Sequence, residues 1–116
     1  MSQITVYQKA TCTTCRQVYA ALQESGVAFQ AVNYYIDPIP KSKLKELLRK
    51  MGISAAELLR KKEPIYKELK LDQKKLSEDE LVDLMAEYPD LIQRPIVEKG
   101  AKAILARPAE RLKEIL

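Results

Sequence analysis

The sequence predicts a mixed α/β (α+β) domain in which a βαβ unit and a ββα unit flank a block of helices. Three observations predict it. Apolar residues alternate with period two at Ile4 and Val6, change to helical spacing after Cys15, and alternate again at Val27, Phe29 and Ala31. From about residue 36 to 90 the spacing is helical and carries two N-terminal capping patterns. Past Pro89 two short apolar runs flank a Lys99-Gly100 turn, and Pro108 then opens a last helix.

The first strand contains Ile4 and Val6 and ends near Gln8 or Lys9, where the β-branched and aromatic run gives out. A loop over residues 10–14 leads to a helix from Cys15, with Val18 and Leu22 on one side together with Ala20 and Ala21. Gly26 is placed to stop that helix, because glycine adopts the left-handed conformation of a C′ position at no steric cost. The second strand follows, from Val27 to about Tyr35. After the break at Asp37-Pro38-Ile39-Pro40, Leu44, Leu47, Leu48 and Met51 fall at i, i+3, i+4 and i+7 of a helix ended by Gly52. Ser54 with Glu57, and Ser77 with Glu80, have the spacing of capping boxes, and Pro64 suits the first position of a short helix over residues 64–69. Pro95-Ile96-Val97 and Ala103-Ile104-Leu105 complete a hairpin, and the last helix carries Leu112, Ile115 and Leu116.

With 116 residues the chain can bury one core, so the reading is one domain over residues 1–116 with the helical block inserted between the second and third strands. Its 47% hydrophobic and 31% charged content lies outside the disordered range. The absence of histidine excludes Ser-His-Asp and Cys-His catalysis and every His-ligated metal site, which leaves Cys, Arg, Tyr or carboxylates to carry chemistry. The net charge of +4 comes from interspersed signs, and one Phe with six scattered Tyr make no stacking platform, so direct nucleic-acid binding is not expected. No apolar run approaches the roughly 20 residues of a membrane span, and residues 1–7 lack the features of an export signal. The expected location is cytoplasmic. In that reducing compartment a cysteine pair is redox-active or metal-binding before it is a structural staple.

Cys12-Thr13-Thr14-Cys15 sits where a strand gives way to a helix, and the free N–H groups and dipole of a helix start stabilise an anion. Arg16 adds positive charge, and the hydroxyls of Thr11, Thr13 and Thr14 add donors, all in the direction that lowers a cysteine pKa. Cys12 is then the nucleophile and Cys15, one turn on, the resolving thiol. The alternatives are two small buried residues or a zinc site. A zinc site would need two more ligands that neither histidine nor a second cysteine pair supplies, so no metal is expected. Gln93-Arg94-Pro95-Ile96 places a proline at the opening of a strand, either as an ordinary edge-strand proline or as a cis bond that exposes backbone beside the first helix. Arg60 and Arg107, read singly, are solvated charges; brought to Cys12 with Arg94 they would cradle an oxyanion.

These motifs, in this order, resemble the arsenate reductase (ArsC) family and its Spx-type relatives, and the resemblance covers nearly all of the chain. It implies a thioredoxin-like βαβ-ββα core with a helical insertion. The family's nucleophilic cysteine, with an arginine four residues on, matches Cys12 and Arg16. Its substrate-binding arginines match Arg60, Arg94 and Arg107, and its cis-proline matches Pro95. The implied activity is a thiol-dependent oxidoreductase in which the Cys12 thiolate attacks the arsenic of arsenate, or of a related oxyanion or oxidised thiol. The arginines hold the developing charge, and Cys15 or glutathione/glutaredoxin resolves the adduct. No bound cofactor is implied; the electron donor is glutathione/glutaredoxin or thioredoxin. Two positions differ from the family: Gln8 stands where arsenate reductases usually have histidine, and Cys15 where they commonly have serine. The cysteine pair is similar to that of Spx, a redox-sensing regulator that binds the RNA polymerase α subunit, which gives the alternative partner. Retention of Arg60 and Arg107, which a regulator does not obviously need, puts the enzyme first.

Overall fold

A computed structural model describes residues 3–116, and the chain divides into two compact units, Met1–Asp37 with Arg94–Leu116, and Pro38–Gln93. In the first unit β1 (Ile4–Gln8), α1 (Thr13–Ser25) and β2 (Phe29–Asn33) form the predicted βαβ, and β3 (Ile96–Lys99) with β4 (Lys102–Leu105) the hairpin. The sheet order is β2-β1-β3-β4, with β1 parallel to β2 and antiparallel to β3. The register Ile4↔Phe29 and Val6↔Ala31 sets the predicted alternation in phase across both strands. Val27, however, precedes β2 and is exposed, as is Ala31, because β2 is an edge strand. Ile4, Val6, Val18, Leu22, Val97, Ala106, Leu112 and Ile115 form one buried cluster, joining one sheet face to α1 and the C-terminal segment. At about 25 cal/mol per Å² of apolar surface, each such side chain contributes roughly 1.5–3 kcal/mol. The one carboxylate buried in this sheet, Glu98, accepts from the Tyr7 hydroxyl at 3.1 Å.

Helix α1 starts earlier than its apolar spacing suggests, at Thr13, because Cys12 is its N-cap: extended at φ −78°, ψ 126°, with its sulfur accepting from the Cys15 amide. Gly26 ends it at φ 77° with its N–H on the Gln23 carbonyl. The predicted final helix is a 3₁₀ segment, Ala109–Glu114. A three-residue turn stacks Leu112 and Ile115 on one side, and both are buried, whereas Leu116, which an α-helix would turn to the same face, is half exposed. The Arg94-Pro95 peptide bond is cis, and so is Arg107-Pro108, which the sequence does not announce.

In the second unit α2 (Lys41–Met51), α3 (Ala55–Leu58), α4 (Pro64–Glu68) and α5 (Glu78–Glu87) bury Leu44, Leu47, Leu48, Leu58, Val82 and Met85. Both capping boxes form, Ser54 with Glu57 and Ser77 with Glu80. Two 3₁₀ turns, Leu71–Gln73 and Pro89–Leu91, complete the unit. The unit runs to Gln93 rather than about residue 90. Leu59 and Ile92 form an antiparallel bridge, and the Gln93 amide donates to the Leu58 carbonyl at 3.0 Å, holding the returning chain against α3. Among the described residues no helix is long and apolar enough to cross a membrane.

Candidate active site

The sheet of the first unit gathers the chemistry at one edge. Because β1 and β2 are parallel and paired through Gln8↔Asn33, the chain leaving β1 toward Cys12 runs beside the chain leaving β2 at Tyr34 and Tyr35. Antiparallel β3 begins at Ile96 opposite Tyr7, and β4 ends at Leu105 opposite Ile96, so Arg94-Pro95 and Arg107 return to that same edge. Ligand sites of parallel sheets lie at the carboxyl ends of the strands for this reason.

Cys12 is half-buried, and its turn is fixed by its own amide on the Lys9 carbonyl and by the Arg16 amide on its carbonyl, both at 3.0 Å. The Cys12 sulfur accepts from the Cys15 amide at 3.4 Å. Partial burial pulls the Cys12 pKa up. Hydrogen bonds from the Cys15 thiol and amide, and then the hydrogen bond and charge of Arg94, outweigh it and bring the thiol below its ordinary 9.0. Cys15 is fully buried, and burial, with the neighbouring Cys12 sulfur, pushes it up to about 12. The pair is thus one thiolate-forming and one protonated thiol, both free of a disulfide. A helix start alone stabilises a charge by about 0.3–1 kcal/mol, under one pKa unit, so the direct donors and the Arg94 charge decide the matter.

Arg94 is only 5% exposed. Its Nη1 donates to the Tyr35 hydroxyl at 3.4 Å, and its charge is supported by the Tyr34 and Tyr35 phenols and the Cys12 sulfur against the cost of burial. Arg107 is exposed; its Nη1 donates to Thr14 Oγ1 in the first turn of α1 and to the Arg94 carbonyl, each at 3.4 Å. The Pro95 carbonyl accepts from the Ala106 amide at 2.9 Å, tying the segment before β3 to the end of β4. Of the residues the sequence singles out, the structure brings Cys12, Cys15, Arg94, Pro95 and Arg107 together. Arg16 lies exposed in the first turn of α1. Arg60 belongs to the helical unit, where its amide donates to the Leu91 carbonyl at 2.7 Å and its Nε stands 2.7 Å from Glu63 Oε1. That ion pair is close but not aligned as a hydrogen bond.

Two residues of the site escape the sequence reading. Tyr34 is fully buried beside Arg94, and burial raises its phenol above its ordinary 10 although Arg94 pulls the other way, so it stays protonated. Tyr35 accepts from the guanidinium through its hydroxyl. The signal was the βαβ unit itself: two consecutive tyrosines directly after a strand parallel to the one that feeds Cys12. Together these groups set positive charge and hydrogen-bond donors beside one reactive sulfur.

A family model described as the ArsC family matches residues 7–115. The chain is 39% identical over 115 residues to YfgD, an uncharacterized protein of Escherichia coli, covering 98% of this chain and 97% of that one. It is 35% identical over 117 residues to an arsenate reductase of Neisseria meningitidis, covering all of both chains. In three dimensions it resembles an arsenate reductase from Vibrio cholerae with a TM-score of 0.93 at 36% identity, over 99% of this chain and 98% of that one. A cysteine on the N-cap of α1, a buried arginine beside it and a match along almost the whole length agree: the chain belongs to the ArsC family, an arsenate reductase-like protein of thioredoxin-like fold.

Proposed function

We propose that the protein reduces arsenate, with Cys12 as nucleophile and Cys15 as resolving thiol. The observation that carries this reading is the Cys12 sulfur on the N-cap of α1, hydrogen-bonded by Cys15 and Arg94 and held below the ordinary thiol pKa. In the first step the Cys12 thiolate forms a bond to the arsenic of arsenate. One arsenic–oxygen bond breaks, and the oxygen leaves as water after taking a proton from solvent. Arg94 and Arg107 stabilise the charge on the remaining oxygens, and Arg16 is assigned to the same anion by the family pattern. Once Cys12 is covalently bound its negative charge is gone, and with it one of the influences that keep the Cys15 proton in place. Cys15 gives its proton to solvent, which returns it to an oxygen of the departing arsenic species, and the Cys15 thiolate then attacks the Cys12 sulfur. A disulfide forms, the sulfur–arsenic bond breaks, and its electron pair stays on arsenic, which leaves as arsenite. Two thiols are oxidised and one As(V) is reduced to As(III). Thioredoxin, or glutathione with glutaredoxin, returns the disulfide to the dithiol by exchange.

The test is NADPH-coupled arsenate reduction with each donor system, on wild type, Cys12→Ser and Cys15→Ser. Turnover should vanish in Cys12→Ser. In Cys15→Ser it should fall with thioredoxin and persist only where glutathione supplies the second thiol. Equal turnover by wild type and Cys12→Ser would refute the assignment.

A further inference from the structure

The geometry points to Tyr35 as a positioning residue for the anion site: it orients the Arg94 guanidinium toward the Cys12 sulfur and is itself clamped by Lys9. The proposal rests on the oxyanion reading above and adds a residue that sets how tightly the oxyanion is held.

A long arginine side chain loses rotamer freedom when it is held in one place, so an acceptor that fixes its fork lowers the cost of presenting it to a ligand. Arg94 finds that acceptor in the Tyr35 hydroxyl, 3.4 Å from Nη1. Tyr35 is held at three points. Its amide donates to Asn33 Oδ1 at 3.0 Å, which shapes the turn leaving β2. Its ring meets the buried Tyr34 ring at 5.1 Å and 30°, and Lys9 Nζ stands 4.8 Å from its centroid, inside cation–π range. Lys9 also belongs to the nucleophile's own turn, since its carbonyl accepts the Cys12 amide. The phenol thus lies between two cations that both lead back to Cys12. Lys9 on the ring face adds positive charge next to Gln8, the position where the family usually carries histidine.

The experiment uses Tyr35→Phe, which keeps the ring and removes the acceptor; Lys9→Met, which keeps the chain length and removes the charge; and Tyr19→Phe, a surface tyrosine against Phe29, as control. Two readouts are taken: KM and kcat for arsenate, and the pH midpoint of Cys12 alkylation by iodoacetamide with arsenate absent. Tyr35→Phe should raise KM about three- to tenfold, the range of one lost hydrogen bond to a charged group made at long distance, with kcat within about twofold. It should also move the alkylation midpoint upward, because a freed Arg94 spends less time on the sulfur. Lys9→Met should act in the same direction by a smaller factor, and Tyr19→Phe should match wild type. A Tyr35→Phe protein with wild-type KM and midpoint overturns the proposal. So does one that only melts earlier, which would be a structural role. If wild type shows no arsenate turnover, the oxyanion reading fails while the alkylation midpoint still decides the role of Tyr35.

Discussion

Among single residues, the two cysteines three positions apart stand in environments that push them in opposite directions. Cys12 lies at a helix start against Arg94 and is held below 9.0, whereas Cys15 is buried and pushed up to about 12. Alkylation followed by peptide mass spectrometry across pH should therefore label Cys12 with a midpoint below 9.0 while Cys15 stays unlabelled until far more alkaline solution. Simultaneous labelling of both would remove the asymmetry on which the mechanism depends. Arg94→Ala takes away a donor and a charge together, and by the size of a charge-assisted hydrogen bond should cost about 1.5–3 kcal/mol in kcat/KM, ten- to hundredfold. Arg107→Ala should cost less, since Arg107 is exposed and reaches the site through Thr14 Oγ1 and the Arg94 carbonyl. Cys12 stands out in the sequence by its place where a strand gives way to a helix, whereas Arg94 and Pro95 gain their weight from the family resemblance. Tyr34 and Tyr35 were not legible there, since nothing in the sequence fixes the Gln8↔Asn33 register that brings them to the same edge as Cys12.

At the scale of elements, local chemistry fixed most starts and stops. Ser54→Ala and Ser77→Ala each remove a formed cap, and each should cost about 1 kcal/mol, read as a lower midpoint in urea unfolding. Helices α2 and α5 are joined by Lys41 with Asp79 and Asp83, at 2.8 Å each, and by Lys45 with Asp79 at 2.6 Å. Hydrogen bonds from Lys41 and Lys45 hold Asp79 down at about 2 against its ordinary 3.8, and Lys43 and Lys50 hold Glu46 at about 2 against 4.5. A carboxylate depressed in the folded state stabilises when ionised. That contribution is complete above about pH 4.5 and lost as pH falls toward 2, so the melting temperature should decline across that window. These pairs lie at the surface, half-exposed or exposed, so high salt should flatten the decline; a decline as steep in 1 M salt would assign it to other groups. The element that sequence spacing misassigned is the C-terminal 3₁₀ segment, Ala109–Glu114. Over three to six residues, apolar spacing of three and of four cannot be told apart until the burial of Leu112 and Ile115, but not Leu116, is seen.

At the scale of the whole molecule, composition and fold act together. The order of strands and helices was legible because β and α periods alternate cleanly along the chain, whereas the extent of the helical unit was not. Its last residues are held by the Leu59↔Ile92 bridge and the Gln93 amide, pairings over long sequence separation. A chain without histidine has no imidazole titrating between pH 5 and 8, so kcat/KM for arsenate should show no histidine limb and should follow the Cys12 thiolate and the ionisation of arsenate itself. Whether this pair of thiols supplies both electrons from a site built on Cys12 is decided by a single turnover. Fully reduced protein is mixed with arsenate and no external donor, and both arsenite and free thiol are counted. One arsenite per chain is expected, with loss of both thiols as a Cys12–Cys15 disulfide, and no arsenite from Cys12→Ser. Arsenite formed while both thiols remain free, or formed equally by Cys12→Ser, would contradict it.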